Sequence, residues 1–320
     1  SEAFFRKSLG RKSILFGALC GWFPDIDVFF HNPQSWEGLE AHRGITHSLI
    51  FLPLIAPILG EVGYRWGKKG SRITWIYLAF WALITHPLLD VCTSYGTQLL
   101  APISNQRFST NAIAIIDILY SFPLFICCYF ALSKKVLRNK SRSISQLALG
   151  ASSMYLLCCH LISYTCLARG EALFRSQGFQ IEKIRSSPPL FFPLMRRIVA
   201  KDSKGNLITT SVSIVSENTS KIQHQKMPRS QIILDTLQTE EGRIFQWFAD
   251  DFLLIKEQEK QLIFIDARYG MHNNPWWSPF SATIQLQNGQ TIGELTRQSR
   301  DSNVDYSLEF RTGWNTMWGI

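Results

Sequence analysis

Apolar and aromatic runs fill the chain from Ile14 to about Leu167, then give way near Arg169 to polar sequence with scattered charge. This break constrains the fold more than any average over the chain. Five apolar segments can be drawn, 14–23, 49–64, 73–89, 113–132 and 147–167. A bilayer-spanning helix needs about 20 mostly apolar residues. The last two segments reach that length, and each carries one ionisable residue, Asp117 and His160. The first is short unless its helix begins upstream among basic residues or only half-enters the bilayer. The second contains Pro53, Pro57 and Glu61, and the third ends at His86-Pro87. Broken helices are tolerated at membrane depth where protein covers them or where they line a polar cavity. A signal peptide is the competing reading of the basic-then-apolar N-terminus, but Pro24-Asp25-Ile26-Asp27 stands where a small-residue cleavage site belongs.

Positive charge alternates with these segments. Arg6, Lys7, Arg11 and Lys12 precede the first; Arg65, Lys68, Lys69 and Arg72 separate the second from the third; Lys134, Lys135, Arg138, Lys140 and Arg142 separate the fourth from the fifth. The other two connections carry only Arg43 and Arg107. Lys and Arg stay on the cytoplasmic side of a membrane. The pattern therefore predicts a cytoplasmic N-terminus in the bacterial cytoplasmic membrane, with everything after the fifth segment on the periplasmic or extracellular side. It also accounts for the formal net charge of +9 without nucleic acid, whose recognition favours a basic stripe on a folded module. The expected class is an α+β membrane protein: a bundle of about five membrane helices over residues 1–170, then a β-rich extracytoplasmic domain over 171–320.

Six of the seven cysteines lie in apolar segments and Cys92 in a polar connection. No Cys-x-x-Cys pair or disulfide framework is present, so they read as small packing residues. In the tail, 198–200 and 207–215 flank the turn cluster Asp202-Ser203-Lys204-Gly205-Asn206 and predict a hairpin. Further strands are expected at 261–267, at 282–286 before Asn288-Gly289, and at 306–311, with an amphipathic helix from about Thr239 to Phe252. Residues 180–193 look most like a linker. Trp314, Trp318 and Phe280 are assigned mainly to the core, and Trp276-Trp277 to either the core or the bilayer interface.

Chemistry concentrates at three motifs, each at the end of an apolar run: Pro24-Asp25-Ile26-Asp27, His42-Arg43-Gly44-Ile45-Thr46-His47 and His86-Pro87-Leu88-Leu89-Asp90. Ionisable residues are expensive there and mark function by default. Pro24 should end the first helix near Phe23 by pushing that residue out of helical geometry, leaving Asp25 and Asp27 on extended or turning chain. Gly44 should make a turn, Thr46 should cap the next helix and His47 should open it. His86 and Asp90 share one face if their helix continues through Pro87. Imidazoles with carboxylates suit a divalent metal such as zinc or manganese, and one or two ions can be shared by Asp25, Asp27, His42, His47, His86 and Asp90. Asp117, at the same predicted depth and side, is a further ligand or a partner that orients a histidine. His160 is expected to be structural, and Glu61 to pair with Arg65 one turn away.

The motifs Gly21-Trp22-Phe23-Pro24-Asp25-Ile26-Asp27, His42-Arg43-Gly44-Ile45-Thr46-His47-Ser48, and His86-Pro87-Leu88-Leu89-Asp90 with Thr93-Ser94-Tyr95-Gly96-Thr97-Gln98 resemble the membrane-bound metal-dependent hydrolases of bacterial inner membranes. That family was long described as a domain of unknown function and is sometimes labelled LexA-binding. Several spaced motifs agree in order across about Leu15–Asp117. The tail matches less: Trp247-Phe248 and Asp266-Ala267-Arg268-Tyr269-Gly270 are similar to the family's C-terminal pattern, but Met195-Arg196-Arg197 stands where a Trp is usual. The resemblance implies hydrolase activity without naming a substrate.

Metal-assisted attack on a phosphoester is the chemistry these residues suit. Arg43 and Arg107 are the nearby cations able to steady a phosphate, and Thr46, Ser94, Tyr95 and Gln98 can donate hydrogen bonds. A site at the lipid–water boundary suggests a lipid-like, amphiphilic substrate, with the tail covering the site or selecting the head group. The alternatives are a non-enzymatic, metal-stabilised membrane scaffold whose tail binds a partner or envelope polymer, and a transporter. The transporter ranks lower because no second polar set appears on the basic side.

Overall fold

The computed structural model describes residues 2–132, 138–217, 219–271, 274–298 and 306–320. Lys134 and Lys135 of the third basic cluster lie outside the described residues. The chain divides into two compact units: Ser1–Asn32 with Ala41–His160, and Pro33–Glu40 with Leu161–Ile320.

In the first unit, α1 (Arg6–Leu9) and α2 (Lys12–Trp22) lead to α4 (Phe51–Gly67) and α5 (Arg72–Val91); the short α3 (Trp36–Ala41), between α2 and α4 in the chain, belongs to the second unit except for Ala41. Phe16 and Cys20 of α2, Leu52 and Ala56 of α4, and Trp75, Leu78, Ala79 and Leu83 of α5 form one buried cluster. Helices α4 and α5 approach closely because α4 turns glycines toward its partner. A Cβ on Gly60 would lie 2.5 Å from the Ile76 Cα, and one on Gly63 would lie 2.7 Å from the rings of Phe16 and Trp75. Small residues at such contacts are how membrane helices gain packing area. Ser71 caps α5 by accepting the Thr74 N–H. Glu61 pairs with Arg65 at 2.7 Å, as expected, and also with Arg72 at 2.9 Å.

The remaining helices are α6 (Ile118–Leu132) and α7 (Arg138–Ser176). Among the described residues, α5 and the stretch Lys140–Ser176 of α7 are long and apolar enough to cross a membrane; Trp36–His47 with Phe51–Gly67 makes a third if that bent pair is one broken span. Among the described residues, length and composition therefore support two or three of the five expected spanning helices. Helix α2, with 11 residues, is only about 16 Å long, and α6, with 15 residues, about 22 Å.

The second unit carries two four-stranded antiparallel sheets. The first runs in chain order through β1 (Ile181–Ser187), β2 (Met195–Asp202), β3 (Leu207–Ser213) and β4 (Gln223–Gln225). Its β2–β3 pair is the expected hairpin, but β1 occupies the stretch read as a linker. Cys166 and Phe174 of α7 pack against Ile198, Ala200, Ile208 and Val212 of this sheet. Helices α8 (Gln231–Gln238) and α9 (Glu240–Phe248) follow, the latter capped by Thr239, whose hydroxyl accepts the Gly242 N–H at 3.1 Å. The second sheet comprises β5 (Leu253–Gln258), β6 (Gln261–Asp266), β7 (Ser281–Gln287) and β8 (Gln290–Gln298). Asn288 and Gly289 join β7 to β8 with φ of 52° and 75°, the two left-handed residues that a tight hairpin turn requires. Val199 and Leu207 of the first sheet share a core with Leu254 and Ile265 of the second, and Trp276 packs against it.

Pro33–Glu40 is held within this unit. The Trp36 indole N–H donates to the Leu295 carbonyl at 2.9 Å, and its ring lies edge-on to Phe245 at 5.7 Å. The strand expected at 306–311 is instead the start of a helix, α10 (Tyr306–Trp318). Tyr306, Phe310, Trp314 and Trp318 recur every fourth residue, a helical period that the shorter window did not reach. Trp314 and Trp318, assigned mainly to the core, are each 45% exposed.

Candidate metal centre

Helix α2 stops at Trp22, and a 3-10 helix, Phe23–Phe29, carries Asp25 and Asp27. Phe23 keeps helical dihedrals (φ −53°, ψ −39°), so Pro24 tightens the helix rather than straightening the chain. It sits in the first turn of the new helix, where a missing N–H costs little. In the turn expected at Gly44, the left-handed residue is Arg43 (φ 60°). Gly44 is required for another reason, since a Cβ there would lie 2.7 Å from the Ala41 carbonyl oxygen. Thr46 and His47 belong to a second 3-10 helix, Ile45–His47. Thr46 does not cap α4, whose N-cap residue is Ile50 without a side-chain cap; just upstream, the Ser48 hydroxyl accepts the Ile50 N–H at 3.0 Å and donates to the Ala101 carbonyl at 2.5 Å. Helix α5 does continue through Pro87, leaving His86 and Asp90 on one face.

Four side chains from these segments close a ring. His47 Nε2 lies 3.3 Å from Asp25 Oδ1 and 3.3 Å from Asp90 Oδ2. His86 Nε2 lies 3.5 Å from the same Asp25 oxygen and 3.4 Å from the same Asp90 oxygen. His86 Nδ1 is 2.6 Å from the Gly21 carbonyl, which assigns the proton to Nδ1 and turns the Nε2 lone pair inward. His47 Nε2 and Asp90 Oδ2 are buried and make no hydrogen bond. Lone pairs gathered in this way are stable only with a proton or a cation among them. Four-coordinate zinc, with bonds of about 2.0–2.2 Å, needs ligand-to-ligand edges of about 3.3–3.6 Å. The four sides of the ring have that length, and the donor atoms of Asp25, His47 and His86 all lie within 4.8 Å of one another, a nitrogen and oxygen set that could hold a divalent ion.

Asp25 also joins a second group with Asp27 and His42, whose donor atoms all lie within 4.8 Å of one another. Asp27 accepts the Arg43 N–H at 3.0 Å and lies 3.2 Å from His42 Nδ1; the Thr46 hydroxyl is 3.3 Å from it and 3.1 Å from His47 Nδ1. Burial opposes ionisation of both aspartates. The neighbouring His47 and His86 imidazoles outweigh it at Asp25, and His42 with the Arg43 N–H at Asp27, holding both carboxyls below the usual range. The Asp25 side chain, 37% exposed, forms the open side of the ring, whereas His47 is fully buried.

The cations expected to steady a phosphate are otherwise engaged. The Arg43 guanidinium is 3.0 Å from Asp90 Oδ1 and donates to Thr93 Oγ1 at 3.0 Å, so it orients the Asp90 carboxylate. Arg107 donates to the Tyr95 and Gly96 carbonyls. Both guanidiniums lie 4.8 Å from the Tyr95 ring, which is itself beside His42. Gln98 is buried, and its backbone N–H donates to the Arg43 carbonyl at 3.0 Å. Asp117 is not brought into the ring: it accepts the Tyr120 N–H at 2.9 Å and the Tyr155 hydroxyl at 3.0 Å. His160 is structural, 3.0 Å from the Thr110 hydroxyl. Sequence reasoning missed the Gly21 carbonyl, which has no side-chain signal, and the role of Thr93, whose position one turn past Asp90 was the available clue.

Residues 3–165 match the family described as YdjM inner membrane protein. Inner membrane protein YbcI of Escherichia coli (strain K12) is 34% identical over 95 residues, which cover 29% of this chain and 54% of that protein. Uncharacterized protein YfhP of Bacillus subtilis (strain 168) is 27% identical over 100 residues, 29% of either chain. The chain thus spans about half, or less, of the length of these curated relatives. No solved structure matches it. The family match takes in all three motif segments and half of the chain, and it agrees with the bacterial inner-membrane resemblance carried by the motifs: the chain belongs to the YdjM inner membrane protein family.

Proposed function

We propose that this protein is a membrane-bound, metal-dependent hydrolase that cleaves a phosphoester or related bond of an amphiphilic substrate. The observation that carries the proposal is the ring of Asp25, His47, Asp90 and His86 with its inward, unsatisfied His47 Nε2 and Asp90 Oδ2. Those four residues would hold one divalent ion, zinc or manganese by donor type, and Asp27 and His42 with Asp25 would hold a second. The ion would supply Lewis acidity to the scissile group and to an attacking water. The chain's own residues do the rest. Arg43 fixes Asp90, the Gly21 carbonyl fixes the tautomer of His86, and Thr46 bridges Asp27 and His47. The exposed edge at Asp25 supports a catalytic over a closed structural site, because catalysis needs an open position.

Inner-membrane membership supports a lipid-like substrate, and the alternation of loop charge supports a site on the outer face of the cytoplasmic membrane. The test is metal analysis of detergent-purified protein together with a hydrolysis screen over phospholipids, isoprenoid phosphates and lipid-linked phosphoesters. His86→Ala and Asp90→Ala should each lose bound metal and hydrolysis. Full metal content in both variants would refute the site. Metal loss without any hydrolysis by the parent protein would favour the non-enzymatic scaffold.

A further inference from the structure

Helix α10 has its apolar face on the outside. Its inner side seats Gly313 and Met317: a Cβ on Gly313 would lie 2.3 Å from the Phe192 ring, and Met317 packs with Phe192 and Met195. Its outer side carries Tyr306, Phe310, Trp314 and Trp318 in a row, 59%, 50%, 45% and 45% exposed. Phe310 stacks on Trp314, which tilts against Trp318. Leu190 and Phe191, also exposed, widen the row, with the Phe191 ring 6.5 Å from that of Phe310. Arg311 lines a shallow groove with Phe310 and Trp314 and makes no ion pair among the described residues. An apolar patch of this kind marks an interaction site.

Two hydrogen bonds within the second unit indicate what covers it. The Ser213 hydroxyl donates to the Met317 carbonyl of α10 at 2.8 Å, and the Ser213 carbonyl accepts from Arg169 of α7 at 2.6 Å. One residue of β3 therefore ties α10 to α7. Tyr164, 75% exposed, and Leu161, 60% exposed, lie just before Arg169 on that helix, within the stretch apolar enough to cross a bilayer. Tyr164 to Arg169 is about 7–8 Å along the axis. The aromatic row is thus fastened beside the point where α7 runs out of exposed apolar residues. That is the depth at which aromatic rings are enriched in membranes.

We propose that α10, with Leu190 and Phe191, is an interfacial anchor. Its aromatic face lies in the headgroup–acyl boundary of the phospholipid bilayer that the chain spans, and Arg311 faces lipid phosphate. The row suits that occupant: rings on one side, one unpaired cation among them, and polar Glu309, Thr312 and Thr316 turned away. Helices of this kind bury their apolar face about 5–10 Å into the boundary, and a cation near the surface is drawn to anionic lipid. The proposal draws on inner-membrane membership and is independent of the metal site.

The chain has ten tryptophans, so the test is a difference measurement. Full-length protein and a Trp314→Phe, Trp318→Phe variant are reconstituted in phosphatidylethanolamine–phosphatidylglycerol vesicles, with or without lipid brominated near the top of the acyl chain. The emission lost in the variant belongs to these two indoles. Brominated lipid should remove most of it, and aqueous iodide should leave most of it intact. If brominated lipid leaves it unchanged, the proposal fails. Iodide quenching would then mean a face in water, and protection from both quenchers a face covered by a second copy. Should the phenylalanine pair lower the melting temperature, Trp314→Tyr with Trp318→Tyr gives the same reading.

Discussion

Arg43 carries a long side chain in the left-handed region, with φ of 60°, a conformation that costs of order 1–3 kcal/mol outside glycine. The guanidinium recovers that cost by holding Asp90 and Thr93 together under the Tyr95 ring. Arg43→Lys keeps the charge but loses the fork that reaches both partners. Disturbing the partner of a metal ligand typically costs about 10–100-fold in affinity, so a zinc titration should show a loss of that size while the circular dichroism spectrum stays unchanged. Arg43→Gly relaxes the backbone yet should lose at least as much affinity, which separates orientation of Asp90 from the local turn. The six ligand candidates of the three motifs were legible at this scale because each ionisable group stood out against apolar sequence. Asp117 was misleading for the same reason: depth along a segment does not encode which neighbour a helix turns it toward, and its neighbours are Tyr120 and Tyr155.

Helix packing gives sharper expectations than propensity. Gly60→Ala places a methyl 2.5 Å from the Ile76 Cα, so α4 and α5 must part. Overpacking of this kind costs about 1–3 kcal/mol, readable as a lower melting temperature in detergent. A methyl on Gly150, in α7, would meet nothing within 4 Å, and Gly150→Ala should instead be stabilising by up to about 1 kcal/mol. Thr239→Ala removes the α9 cap and should cost about 1 kcal/mol, seen by the same melt. Strong periodicity made α5, α7, α9 and the β2–β3 hairpin legible. It failed for β1, where Pro188-Pro189 and polar residues masked a strand whose stability comes from pairing with β2. It failed again for α10, whose core-facing side is small and whose aromatic side faces outward.

Across the molecule, the two units respond to different variables. Asp202 holds the β2–β3 turn by accepting the Lys204 and Asn206 N–H groups and the Asn206 side chain. Burial opposes its ionisation, but those bonds, the Asn206 side chain foremost, and His224 hold its carboxyl below the ordinary aspartate value of about 4. A depressed folded-state value stabilises at neutral pH, and the contribution is lost as pH falls from the ordinary value through the lower one. Asp202→Asn should therefore flatten the acid side of the stability curve, measured as a smaller fall in melting temperature between neutral and acid pH.

The candidate metal donors would respond to a variable of another kind. They come from a 3-10 helix at residues 23–29, the turn around 42–47 and the end of α5, so the full set exists only when distant parts of the chain have come together. An ion bound there would act through mass action on folding itself, adding about 2.7 kcal/mol at a hundredfold excess over Kd, whether or not any bond is cleaved. Zinc added to metal-stripped protein should accordingly raise the melting temperature of the parent and leave that of His86→Ala unmoved. A chelator would then behave as a mild denaturant for this protein, and scarcity of the ion would deplete the folded population before any substrate was encountered.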